Sequence, residues 1–385
     1  MKKRDTFLVF GAPVIEQDEI DAVTQTMQSR WIGTGPRVAE FEQCIRDYVD
    51  SPFSVALNSC TAGLHLALKA LDLPAGSEVI TTAMTFCATA NAIIHAGCIP
   101  ILCDVDPVSR NITPEAIEGK ITMLTKAILP VHFAGYPCDM EGIMRVAKKH
   151  GLYVVEDCAH AIETTINGKH AGTFGDIGCF SFYVTKNITT GEGGMIVTAN
   201  KELEAKIKIL ALHGMSKDAW KRFSDEGYKH YEVVYAGYKY NLTDMQASMG
   251  LVQMKKIDRF FARRTALWDR YMRELRGLAC RLPERVTGHA QHLFCIEVES
   301  EKMGGKSRDK VLSEFNELNI GTGVHYQALH LYPYYREQFG YKEGNFPHAE
   351  KIGASTLSLP FSAALSDSDA CDVISAARMI LQVQK

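Results

Sequence analysis

No run of about 18 uninterrupted apolar residues occurs among the 385 residues, so the sequence offers no membrane-spanning helix. No CxxC pair occurs among its eleven cysteines. That argues against a zinc site or a disulfide frame, and for small apolar residues scattered through a core in a reducing compartment. A large excess of one charge sign is missing too. Forty-two Lys and Arg against 45 Asp and Glu leave a net charge of −3, mixed along the chain, with no nucleic-acid footprint. The basic pairs Lys255-Lys256 and Arg263-Arg264 fall on helical patterns and read as solvated faces. No apolar run of about 7–15 residues follows the basic start Met1-Lys2-Lys3-Arg4-Asp5, so a cytoplasmic protein is expected. There is no internal repeat or low-complexity linker. No G-x-G-x-x-G follows a strand-like run, and Gly191-Glu192-Gly193-Gly194 lacks that spacing, which disfavours a nicotinamide dehydrogenase.

What is present is length and apolar content. At 46% hydrophobic, the chain can bury a large core, and its length suggests two domains. Short apolar runs at 54–57, 78–82, 99–105, 127–132, 153–156, 177–183 and 195–198 alternate with helical patterns such as 140–150. That alternation predicts a mostly parallel sheet covered on both faces. Helical periodicity follows over 201–213 and, as one long amphipathic helix, over 242–275. Thr243 is placed to cap the latter, with Asp244 in its first turn. Beyond it, a strand at 293–298 and helices at 306–318 and 366–381 make a smaller α+β unit. The expected division is a large domain over 1–255 and a small one over 256–385.

Three segments carry chemistry. Lys186 follows an apolar run and precedes the Gly191–Gly194 turn, where a strand end presents its amine to a flat aldehyde cofactor. Asp157 ends the run Tyr153-Val154-Val155-Glu156-Asp157, at the strand edge where open α/β sheets bind ligands. A carboxylate there can pair with the protonated ring nitrogen of pyridoxal phosphate and keep it an electron sink. Asn58-Ser59-Cys60-Thr61-Ala62-Gly63 turns a strand into a helix through small and hydroxyl residues, and such an N-terminus favours a phosphate. Each has a plain alternative: a solvated lysine, a capping aspartate, an ordinary helix cap.

Together with Ser29-Arg30-Trp31-Ile32-Gly33-Thr34-Gly35-Pro36, Thr85-Phe86-Cys87-Ala88-Thr89-Ala90-Asn91-Ala92, Leu129–Gly135, Gly237-Tyr238-Lys239-Tyr240-Asn241 and Gly321-Thr322-Gly323-Val324-His325-Tyr326, these motifs resemble the DegT/DnrJ/EryC1/StrS sugar aminotransferases nearly end to end. Within that family, Lys186-Asn187-Ile188-Thr189 and Lys239-Tyr240-Asn241 are most similar to the enzymes that form UDP-4-amino-4-deoxy-L-arabinose. The resemblance implies an α/β protein of PLP-dependent transferase fold type I. It has a large αβα domain on a mostly parallel mixed sheet and a smaller C-terminal α+β domain.

The implied reaction is transamination of a nucleotide-linked ketosugar, expected to be a UDP-4-ketosugar, with L-glutamate as donor, for cell-surface polysaccharide or lipopolysaccharide. Pyridoxal 5′-phosphate is the implied cofactor, and no metal is expected. Lys186 would hold the cofactor and move the proton, and Asp157 would face its ring nitrogen. The backbone amides of Thr61 and Ala62 and the Ser181 hydroxyl would take the phosphate. Phe86 would cover the ring, and His160 would lie near its phenolic oxygen. Trp31, Thr34, Gly35 and His325 would bind substrate. Lys239 stands where many members have Asn. In a homodimer with shared active sites it would reach the neighbour's cofactor phosphate or the substrate diphosphate. A sugar dehydratase of the same fold carries histidine in place of Lys186. A non-catalytic protein on this fold would not need the Lys186–Asp157–Ser181 set.

Overall fold

The computed structural model describes residues 2–216 and 231–383. Among the described residues, nine strands belong to the N-terminal part: β1 (Phe53–Leu57), β2 (Glu78–Thr82), β3 (Ile99–Cys103), β4 (Thr125–Leu129), β5 (Tyr153–Cys158), β6 (Thr165–Ile166), β7 (Lys169–His170), β8 (Ile177–Ser181) and β9 (Gly194–Thr198). Seven of them form one sheet, in the order β1-β9-β8-β5-β4-β2-β3, and β6 and β7 form a separate hairpin. β9 pairs antiparallel with both neighbours, while the pairs from β8 to β3 are parallel. The strands are near-continuous apolar runs because both faces are covered. Helix Cys60–Ala70, almost wholly buried, lies against the sheet on one face. Helix Met140–His150 is capped by the Asp139 side chain, which accepts from the Gly142 N–H, and it ends at Gly151 with φ 64°.

The C-terminal part holds an antiparallel sheet of β10 (Cys280–Arg281), β11 (Phe294–Val298) and β12 (Thr356–Leu359). Its core gathers Trp268, Tyr271, Phe294, Phe315 and Phe361. The N-terminal residues join this unit: the Leu8 N–H donates to the Asn319 carbonyl at 2.8 Å, and Arg4 pairs with Asp369 at 2.7 Å.

The single helix expected over 242–275 is two, Asp244–Lys255 and Ile257–Glu274, with Lys256 off the helical conformation between them. The first packs on helices Gln17–Gln28 and Pro36–Val49, while the second supplies Trp268 and Tyr271 to the C-terminal core. Thr243 does cap the first, in a capping box with Gln246. The basic pairs split. Lys255 is exposed, but Lys256 is drawn onto Glu16 and Glu19, at 2.9 and 2.8 Å, and onto Asp18. Arg264 is 2% exposed and pairs with buried Glu163, so it is not a solvated face. A charge on the inward side of a helix stays ionised only with such a partner.

Candidate active site

β1, β4, β5 and β8 run in one direction, so their carboxyl ends share one edge of the sheet. At that edge lies a cavity of about 360 Å³ whose lining includes Ser59, Thr61, Phe86, Thr89, Asp157, His160, Ser181, Lys186 and Tyr326. Six of the residues singled out from sequence therefore meet there: Thr61, Phe86, Asp157, His160, Ser181 and Lys186.

One end of the cavity is a helix start. Ser59 caps helix Cys60–Ala70 by accepting from the Ala62 N–H at 3.1 Å. The N–H groups of Cys60 and Thr61, in the same first turn, have no intrahelical acceptor. Thr61 thus offers the open donor, whereas the Ala62 amide is already engaged. β9 enters across this turn at Gly194. A Cβ there would stand 2.4 Å from the Ser59 carbonyl carbon and 2.5 Å from the Cys60 nitrogen, so only glycine allows the approach. Ser181 closes β8 and faces the same cavity.

Asp157 is 4% exposed. Its Oδ2 accepts from Thr89 Oγ1 at 2.9 Å and its Oδ1 from the Ala159 N–H at 3.1 Å. Burial pushes its carboxyl above the usual carboxylate range, opposed by those two hydrogen bonds and by the charges of Lys186 and His132. Thr89 was missed in the sequence reading because it marked only a motif, not a contact. Glu156, one residue earlier, points to the other face of the strand. It accepts from the N–H groups of Gly172, Phe174 and Gly175 at 2.8, 2.8 and 2.7 Å and meets His132 Nε2 at 3.2 Å. Adjacent acids thus do separate work: Glu156 ties a loop beneath the sheet, and Asp157 faces the cavity.

Lys186 lies in a loop, not on a strand end, since β8 stops at Ser181. The loop is closed by Phe182 N–H donating to the Gly193 carbonyl at 2.9 Å and Thr190 N–H to the Phe182 carbonyl at 3.0 Å. Behind it, Asn187 donates to Glu163 and its Oδ1 meets His292 Nδ1 at 2.7 Å. The Lys186 amine is reachable through the cavity but otherwise surrounded by protein. That burial lowers its ammonium to about 8, against the opposing pull of Cys60 and Asp157. An amine must be unprotonated to attack an aldehyde. Borohydride-trapped uptake of pyridoxal phosphate by the cofactor-free protein should therefore rise with pH and reach its half-point near 8, not near the ~10.4 of a free lysine. A half-point near 10 would show a solvated amine.

His160 accepts from the Ala134 N–H at Nδ1, 3.2 Å, and its Nε2 meets the Tyr326 hydroxyl at 3.3 Å. Burial holds it well below the usual imidazole range, with the Lys186 charge adding to the effect. Phe86 leaves 57% of its surface open and stands 6.0 Å from the Tyr326 ring. His325 Nδ1 meets Ser358 Oγ at 2.8 Å, and burial lowers its imidazole to about 4.

Other expected residues lie elsewhere in the chain's own fold. Trp31, Thr34 and Gly35 line a separate cavity of about 510 Å³ together with Lys208 and Asn241. There Thr34 Oγ1 donates to the Leu242 carbonyl at 2.5 Å, and the Gly35 N–H donates to Asp244 at 2.8 Å. Lys239 is exposed, outside the main cavity, and donates to Asn241. Tyr326 was the main omission; its neighbour His325 was singled out, but Tyr326 is the one that lines the cavity.

The donor set fits pyridoxal phosphate. It combines an amine with a lowered pKa, a buried carboxylate at a strand end, a helix start with an open Thr61 amide beside Ser181, and an aromatic ring with a free face. Comparison with known proteins agrees. The profile of the DegT/DnrJ/EryC1/StrS aminotransferase family matches residues 13–378. The spore coat polysaccharide biosynthesis protein SpsC of Bacillus subtilis is 45% identical over 385 residues, covering 99% of each chain. Spr1654 of Streptococcus pneumoniae in its PLP form superposes with a TM-score of 0.89 at 31% identity, covering 97% of this chain and 98% of that one. DesI, solved in the presence of its TDP-sugar product, gives a TM-score of 0.86 at 28% identity, covering 98% and 93%.

Proposed function

We propose that this chain, which belongs to the DegT/DnrJ/EryC1/StrS aminotransferase family, aminates a nucleotide-linked ketosugar for cell-surface polysaccharide or lipopolysaccharide synthesis. Membership establishes the coarser activity, sugar transamination with pyridoxal phosphate. The finer reading is a UDP-4-ketosugar acceptor of the kind that yields UDP-4-amino-4-deoxy-L-arabinose, with L-glutamate as donor, in the cytoplasm. A polysaccharide role for SpsC and a TDP-sugar product for DesI support a nucleotide-linked sugar destined for polysaccharide. The observation that carries the transamination reading is the meeting of Lys186, Asp157, Thr61, Ser181 and Phe86 in one cavity, from four separated segments.

In this reading the Thr61 N–H, with Ala62 behind it, and the Ser181 hydroxyl hold the phosphate, and Phe86 covers the ring. The bound cofactor supplies an electron sink for moving an amino group between two carbons. Asp157 keeps a proton on the ring nitrogen. Thr89 and Ala159 fix both carboxylate oxygens, so the acid needs no reorganisation when charge develops. Lys186 would hold the cofactor through its amine and move a proton at Nζ, its pKa near 8 suited to both directions near neutral pH. Trp31, Thr34, Gly35 and His325 are proposed to bind the sugar nucleotide, the first three from a cavity separate from the one that holds Lys186. The test is a panel of UDP-, dTDP- and GDP-linked ketosugars with L-glutamate, reading aminosugar by mass. Amination of a UDP-4-ketosugar is expected. A protein whose visible cofactor band is unmoved by L-glutamate would refute the donor.

The site is further proposed to be completed in a homodimer, with Lys239 crossing to the partner's phosphate or diphosphate. Its exposure, outside its own chain's cavity, supports this. A cation delivered to a dry phosphate is screened far less than on an open surface. Mixing inactive Lys186→Ala and Lys239→Ala proteins under subunit exchange should restore activity through the one site with both residues. If Lys239→Ala is impaired and exchange is proven, yet nothing returns, Lys239 acts within its own subunit.

A further inference from the structure

Tyr326 stands at the wall between the main cavity and a second one of about 690 Å³ lined by Thr85, Phe86, Asn91, Tyr332 and Tyr335. Its ring is held on several sides, 6.0 Å from Phe86, 6.1 Å edge-on to Phe133 and 5.0 Å from His325. The direction of its hydroxyl proton follows from its neighbour. The Ala134 N–H can only donate, so His160 Nδ1 is an acceptor and carries no proton. A neutral imidazole then bears its proton on Nε2, the atom 3.3 Å from the Tyr326 oxygen. His160 is therefore the donor in that contact and Tyr326 the acceptor. The hydroxyl hydrogen of Tyr326 has no acceptor among the described residues, and the two cavities are where it can point.

We infer that Tyr326 is a substrate-binding residue, donating its hydroxyl hydrogen to a carbonyl or hydroxyl oxygen of the sugar where the two cavities join. His160 is its positioning residue, setting the direction of donation from behind. This rests on the sugar-transamination reading. Burial keeps the phenol protonated at any working pH, so it serves as a donor and not as a base.

Two measurements decide it. First, ¹⁵N shifts of His160 in the cofactor-free protein should show the Nε2–H neutral tautomer. An Nδ1–H tautomer or an imidazolium would overturn the argument, whatever the substrate. Second, Tyr326→Phe removes only the hydroxyl. Its two half-reactions are read separately: L-glutamate with the loaded enzyme, and the ketosugar from the panel with the aminated enzyme. The expected result is a roughly 10- to 100-fold loss in kcat/KM of the sugar half-reaction, the range of one well-placed hydrogen bond. The glutamate half-reaction, the cofactor's absorption maximum and its affinity should be unchanged. A normal sugar half-reaction, or a shifted cofactor band, would overturn the assignment, the latter by placing the hydroxyl on the cofactor. A wild-type protein that responds to glutamate but aminates no ketosugar refutes the substrate reading instead, and the tautomer measurement still stands.

Discussion

Lys186→Ala should fold, keep measurable affinity for pyridoxal phosphate and lose turnover by at least about 10⁴-fold, since tether and proton shuttle vanish together. The loop does not depend on the amine. It is closed by Phe182, Thr190 and Gly193 through the backbone and by Asn187 through Glu163 and His292. Removing the ammonium takes a nearby cation from buried Asp157, but the hydrogen bonds to that carboxylate from Thr89 and Ala159 remain. Borohydride reduction of the wild-type holoenzyme followed by peptide mapping should place the pyridoxyl group on Lys186. A label on another lysine, or a variant with more than about a hundredth of normal turnover, rules the assignment out.

The second large effect is expected at Asp157. Asp157→Asn preserves shape: its amide oxygen can accept from Ala159, and the Thr89 hydroxyl can turn to accept from the new amide. Stability should fall by no more than about 1–2 kcal/mol in denaturant titration. Turnover should fall by about 10² or more, because an amide cannot hold a proton on a ring nitrogen and about 2.7 kcal/mol of lost transition-state stabilisation suffices for that factor. Near-normal turnover would mean that another group serves the nitrogen, and a collapse in stability that Asp157 is mainly structural.

The parallel sheet was legible because buried parallel strands are continuous apolar runs, and β2 is found at the expected residues. Candidate residues at strand ends were legible for the same reason, since neighbouring strand ends bring Asp157 and Ser181 to one cavity. Lys186 was placed at a strand end because Phe182 and Tyr183 extend the apolar run. The backbone turns there instead, held by Thr189 and Thr190, whose hydroxyl bonds leave no periodic trace. β12 went unread because Thr356–Leu359 is four residues long, fully buried and paired with β11 from 60 residues away. Lys256 and Arg264 were taken for surface charges because periodicity reports a side chain's face, not a carboxylate arriving from residue 16, 19 or 163. Tyr326 could have been found only by asking which side chain fills the space beside His160, a question of three-dimensional neighbourhood.

Asp244, 1% exposed, does more than start its own helix. Helix Pro36–Val49 opens without a capping side chain of its own, and the Asp244 carboxylate accepts from the N–H groups of Gly35, Arg37 and Val38 at 2.8, 3.2 and 3.0 Å. A helix made early in synthesis thus waits for a residue made some 200 positions later. A nascent chain released before residue 244 lacks that cap, and with it the bonds that tie Gly33 and Gly35 to Asp244.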